Sequence, residues 1–117
     1  SQALDAEGWP EGAPEVFVDL TLEGLNPDGA IVDAKGGVWN AQWGAGRVAR
    51  YLPNGEFDRA VAVAGQHSSC PAFGGTDLRT LFVTTAQEGI ETADSDQGLV
   101  YACEAGVQGL AEPQILL

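Results

Sequence analysis

The side chain best placed to do chemistry in this sequence is the carboxylate of Asp28, in the run Asn26-Pro27-Asp28-Gly29 that leads into Ala30-Ile31-Val32-Asp33-Ala34-Lys35-Gly36-Gly37-Val38-Trp39. Pro-Asp-Gly reads as a tight turn, and the apolar run behind it reads as a buried strand. A charge beside an apolar wall has to be solvated, paired or bound to a metal, because burying it bare is strongly unfavourable. The competing reading is a plain β-turn whose Asp bonds nearby backbone. Five residues on, Asp33 stands where a strand meets the turn Ala34-Lys35-Gly36-Gly37. It reads as a carboxylate capping backbone donors, since the repeated Asx pattern of an EF-hand is missing.

The other reactive side chains point to less. His67 is the only histidine, in Gln66-His67-Ser68-Ser69-Cys70, and with no second one beside it reads as a solvent-facing loop residue. Ser68 and Ser69 lack the nucleophile-elbow setting of a serine hydrolase. Cys70 has no flanking cation to make it a thiolate. Together with Cys103 it is too sparse for a disulfide framework or a zinc site, so both read as buried free thiols. Glu88, Glu91, Asp94 and Asp96 share a loop without the spacing of a calcium loop and read as a solvated excursion.

These residues need elements to hold them. The chain has 117 residues, 44% of them apolar, which suits a single packed unit that buries roughly two thirds of its unfolded surface. Its formal charge of −12 repels phosphate backbones and anionic membrane surfaces, which argues against nucleic acid and membrane partners. No run approaches the roughly 20 apolar residues of a spanning helix, and Ser1-Gln2-Ala3-Leu4-Asp5 lacks the pattern of a signal peptide. A soluble, cytoplasmic setting is expected, and the absence of any Met points to processing or truncation.

The 16 Gly and 6 Pro cut the sequence into short runs rich in β-branched and aromatic residues, so the fold class is all-β. Strands are expected at Glu15–Asp19, Gly29–Asp33, Gly37–Gln42, Arg47–Tyr51, Phe57–Val63, Pro71–Phe73, Thr80–Thr85, Leu99–Cys103 and Gln114–Leu117. Connections such as Gly44-Ala45-Gly46 and Pro53-Asn54-Gly55-Glu56 are hairpin turns, too short for the crossovers of about a dozen residues that parallel strands need. The sheets are therefore antiparallel. Val38-Trp39-Asn40-Ala41 recurs as Leu81-Phe82-Val83-Thr84 at a separation of 43 residues, the period of a four-stranded propeller blade. Pro27 to Gln66 forms one blade, His67 to Leu117 a second, and Ser1 to Thr21 the outer strand of a preceding one, about two and a half blades in all. A propeller closes with roughly four to eight blades, so the open edges call for blades from another segment or for self-association.

With the blades laid out, a resemblance emerges. Pro27-Asp28-Gly29 with Val32-Asp33-Ala34, Gly37-Val38-Trp39, Trp43-Gly44-Ala45-Gly46-Arg47-Val48, then Cys70-Pro71-Ala72-Phe73-Gly74-Gly75-Thr76-Asp77 and Leu81-Phe82-Val83-Thr84-Thr85-Ala86 resemble the gluconolactonase, regucalcin and sugar lactonase family. Gly98-Leu99-Val100-Tyr101 resembles its closing strand motif, and the likeness runs from about Val16 to the end. It implies a partial six-bladed β-propeller, the carboxyl-terminal portion of a longer metal-dependent lactonase. It also implies that Asp28 is the third protein ligand of one divalent ion on the propeller axis, the other two coming from blades outside this chain.

On that resemblance Asp28 is a metal ligand and catalytic residue at the start of an innermost strand. Its ion would be Ca²⁺, Zn²⁺, Mn²⁺ or Fe²⁺, which can polarise a lactone carbonyl and acidify water. Asp28 itself would take the water's proton. Trp39 is expected in the core. Trp43, at a strand end beside Gly44, is a candidate for substrate binding, its indole face packing on a sugar ring. Trp9, beside Pro10, falls in a loop. The expected function is hydrolysis of an aldonolactone such as gluconolactone or a pentonolactone. The alternative is a non-catalytic propeller segment that binds or assembles through its open blade edges.

Overall fold

A computed structural model describes residues 1–112 as strands and turns, with no helix among them; the strand expected at Gln114–Leu117 lies outside the described residues. Among the described residues no helix is long and apolar enough to cross a membrane. The chain begins with a two-residue hairpin, β1 (Ala3–Leu4) against β2 (Pro10–Glu11), closed where Asp5 accepts hydrogen bonds from the backbone N–H of Glu7 and Trp9. Then follow β3 (Asn26–Val32), β4 (Val38–Trp43), β5 (Arg47–Tyr51) and β6 (Phe57–Ala62), an antiparallel four-stranded sheet in sequence order. Three further strands, β7 (His67–Gly74), β8 (Thr80–Ala86) and β9 (Val100–Glu104), make a second antiparallel sheet, again in sequence order. Gly36, at φ 76°, closes the β3–β4 hairpin in a backbone setting that suits glycine.

Period-two alternation sorts the side chains of β4 and β5 between two buried faces. Trp39, Ala41 and Val48 pack against Leu81 and Val83 of β8 and against Ala105 and Val107, forming the core between the two sheets. Ala49 and Tyr51 point the other way and are covered by Phe17, Val18 and Leu20. The central strands of the first sheet, β4 and β5, are thus covered on both faces, while β3 and β6 stay largely exposed. The second sheet is covered on one; Phe82 (39% exposed) and Val100 (64% exposed) lie on its other face.

Three sequence expectations need correction. No strand forms at Glu15–Asp19, because that segment meets no ladder partner; it lies across the first sheet and contributes side chains instead of backbone bonds. Pro27-Asp28-Gly29 is no turn: the triplet lies inside β3, which starts at Asn26. The strand expected only at Pro71–Phe73 runs from His67 to Gly74, since β7 is the edge of its sheet, where a residue without an N–H is tolerated.

Candidate functional site

Asp28 owes its position to a β-bulge. Pro27 pairs with Gln42 and Ala30 with Asn40, so Asp28 and Gly29 together stand opposite the single residue Ala41. Bulges interrupt the ladder and re-aim a side chain, which is why they recur beside functional sites. Two contacts hold this one. From behind, Asn40 Nδ2 donates to the Asp28 carbonyl at 3.0 Å and to the Gly29 carbonyl at 3.3 Å. From the side, the second sheet closes in: a Cβ on Gly29 would lie 2.7 Å from the Ser69 carbonyl oxygen and 3.0 Å from Cys70 Sγ. Glycine is required there by close approach of two backbones. The Asp28 side chain is exposed, and among the described residues it takes part in no hydrogen bond or ion pair.

β7 repeats the device. Ser68 pairs with Thr85 and Cys70 with Thr84, leaving Ser69 as an extra residue, and Thr84 Oγ1 accepts from Cys70 N at 3.1 Å beside it. His67 opens this strand. It is a half-buried strand residue, not a solvent-facing loop residue, because its ring stacks on Trp43 with centroids 4.4 Å apart and planes 6° from parallel. Trp43 ends β4 opposite Asn26, at the same end of the sheet as Asp28, and one of its faces is taken by His67. Cys70 is exposed and Cys103 half-buried, so the thiols are free as expected but neither is buried. Burial, and then the nearby Glu104 charge, push the Cys103 thiol up.

Asn40 Oδ1, His67 Nδ1 and Ser68 Oγ are buried and without hydrogen-bond partners among the described residues, and all three belong to this end of the sheets. Buried polar atoms are rarely left so. The donor set fits one ligand of a shared cation site: an exposed carboxylate with no partner among the described residues, on a backbone fixed by the bulge. It does not fit a whole site, as no cluster of three or more His, Cys, Asp or Glu able to hold an ion occurs among the described residues.

Asp33 is the opposite case. Only 1% exposed, it caps Lys35 N and Gly37 N through Oδ1, as its turn position implies. Its Oδ2 accepts from Trp39 Nε1 at 2.8 Å and from Arg50 Nε at 2.6 Å, and Arg50 continues to Asp58 at 2.9 Å. Burial alone would raise its pKa, but the Arg50, Trp39 and backbone hydrogen bonds outweigh it and lower the value from 3.8 to about 2. Arg59 lies over the Trp39 ring at 5.3 Å and donates to the Ala105 carbonyl, tying this end to the second sheet.

Sequence reasoning missed Asn40 and Arg50. The signal for both was a polar side chain set between apolar neighbours in a strand, Trp39-Asn40-Ala41 and Ala49-Arg50-Tyr51. The acidic loop stays a solvated excursion: Glu88, Glu91, Asp94 and Asp96 are all exposed.

Over most of its length the chain is similar to known proteins. Residues 1–87 match the family model described as the SMP-30/Gluconolactonase/LRE-like region. The chain is 37% identical over 115 residues to a 6-deoxy-6-sulfogluconolactonase of Pseudomonas putida, covering 94% of this chain and 39% of that protein. It is 40% identical over 99 residues to an L-arabinolactonase of Azospirillum brasilense, covering 81% of this chain and 32% of that one. The crystal structure of a calcium-binding protein, regucalcin, from Agrobacterium tumefaciens matches with a TM-score of 0.87 and 38% identity, covering 99% of this chain and 41% of that structure. The chain thus spans about 40% or less of the length of the proteins it matches here.

Proposed function

This chain belongs to the SMP-30/gluconolactonase/LRE-like family, and from that premise we propose that it is the carboxyl-terminal part of a metal-dependent sugar lactonase, built as a six-bladed propeller, to which it supplies Asp28 as a metal ligand. The observation that carries the proposal is the contrast between Asp28's free, exposed carboxylate and the backbone that holds it: a bulge pinned by Asn40 and walled by Ser69. A carboxylate with no structural partner on so constrained a backbone is available for a ligand.

A divalent ion, Ca²⁺, Zn²⁺, Mn²⁺ or Fe²⁺, would supply polarisation of the lactone carbonyl and acidification of water. Asp28 would be one of the residues that hold that ion, and its carboxylate would accept the proton of the attacking water. Water adds to the carbonyl carbon, the ring C–O bond breaks, and the proton passes to the departing ring oxygen, giving the open hydroxy acid. Trp43 would offer the sugar ring the indole face that His67 leaves free. The remaining blades would bring the other ligands and cover the Phe82 face of the second sheet, a role that self-association would otherwise fill.

The test is a panel of aldonolactones and divalent ions on the protein carrying all its blades, with and without Asp28→Asn. Hydrolysis is expected to fall by about a hundred-fold or more. Unchanged hydrolysis and metal binding would overturn the assignment.

A further inference from the structure

We propose that Asn40 is the positioning residue of the site, holding the Asp28 carboxylate in register for its cation by gripping the backbone of the bulge. The inference rests on the assignment of Asp28 as a metal ligand. Asn40 is 8% exposed, in the middle of β4, with Trp39 and Ala41 as neighbours. Its Nδ2 spans both carbonyls of the bulge, at 3.0 Å and 3.3 Å. The amide orientation follows from chemistry, since an oxygen facing two carbonyl oxygens would be repelled and only the NH₂ group can donate to both.

That orientation has a cost. Asn40 Oδ1 is left buried without a partner among the described residues. An unpaired buried acceptor is destabilising, whereas an apolar side chain of the same shape would avoid the penalty. The Ala30 and Ala49 that flank Asn40 on the neighbouring strands are small and apolar, and the space in front of it is a cleft of about 270 Å³ lined mainly by Phe17, Leu20, Pro27 and Tyr51. Leucine or valine would suit such surroundings better for stability alone. What only Asn40 provides is the double grip on Asp28 and Gly29. Groups that orient a metal ligand, without touching the ion, typically change affinity by about ten- to a hundred-fold when removed.

The experiment is a double-mutant cycle in the protein carrying all its blades, reading the dissociation constants of Ca²⁺ and Mn²⁺ by calorimetry, with no substrate present. Asn40→Leu keeps the branched outline of the side chain at a larger volume, with the adjoining cleft to take it, and removes both the grip and the orphan acceptor; Asn40→Val, which is smaller and suits a strand, repeats the test if leucine does not fold. Affinity is expected to weaken about ten-fold in the parent and not to change further once Asp28→Asn is present. An equal loss in both backgrounds, or no loss in the parent, would overturn the role of Asn40 while leaving Asp28 in place. No loss with Asp28→Asn alone would remove both assignments.

Discussion

Two aspartates on one stretch of chain, Asp28 and Asp33, have opposite fates. Asp33 is buried and accepts from two backbone N–H groups, an indole and a guanidinium. Asp28 is exposed and makes no side-chain hydrogen bond among the described residues. The first is spent on structure: it locks the β3–β4 hairpin to β5, and through Arg50 and Trp39 steadies the core between the sheets. The second is kept clear, with its backbone held by Asn40 and Gly29. The orphan polar atoms Asn40 Oδ1, His67 Nδ1 and Ser68 Oγ all lie at the Asp28 end. A saturated carboxylate holds a fold together, and an unsaturated one on a fixed backbone is available to a ligand.

The largest expected effect breaks the Asp33 end. Asp33→Ala leaves the Arg50 guanidinium and the Trp39 N–H facing a hole, and the loss expected for breaking a buried pair is about 3–5 kcal/mol, measured by denaturant unfolding. Gly29→Ala probes what the Asp28 end does contribute: its methyl meets the Ser69 carbonyl at 2.7 Å, and the strain expected is about 1–3 kcal/mol with a weakened metal response.

Acid is a milder probe. The Asp33 pKa is lowered in the folded protein from 3.8 to about 2, so its contribution is fully present above about pH 4 and is lost as pH falls through about 2. A shift of that size corresponds to about 2 kcal/mol, and Asp33→Asn is expected to flatten that part of the stability profile. Asp28→Asn, at the small end, is expected to change unfolding free energy by less than about 0.5 kcal/mol in the absence of metal, as for other exposed substitutions.

Much of this contrast was legible in the residues. Gly-rich hairpin turns and β-branched runs gave an antiparallel all-β chain, and Trp39 in the core follows from its place in an apolar strand. The capping role of Asp33 followed from its position before a Lys-Gly-Gly turn. Its bond to Arg50 did not, because the partner lies 17 residues away across the sheet and only the register brings them together. Pro27-Asp28-Gly29 was misplaced because a local turn signal and a bulge share the same residue types; strand pairing with β4 decided for the bulge. His67 was misread as solvent-facing because nothing local shows that Trp43 will lie flat against it. The segment Glu15–Asp19 has strand composition but no ladder to join, a fact set by tertiary packing.

The most direct measurement is the rise in melting temperature that saturating Ca²⁺ or Mn²⁺ produces in the protein carrying all its blades, taken for the parent, Asp28→Asn and Asp33→Asn. A ligand that binds only the folded state raises stability in proportion to its affinity. The rise is expected to shrink sharply in Asp28→Asn, whose metal-free melting matches the parent, and to persist in Asp33→Asn from a lower starting temperature. An undiminished rise in Asp28→Asn would contradict the division of labour between the two carboxylates.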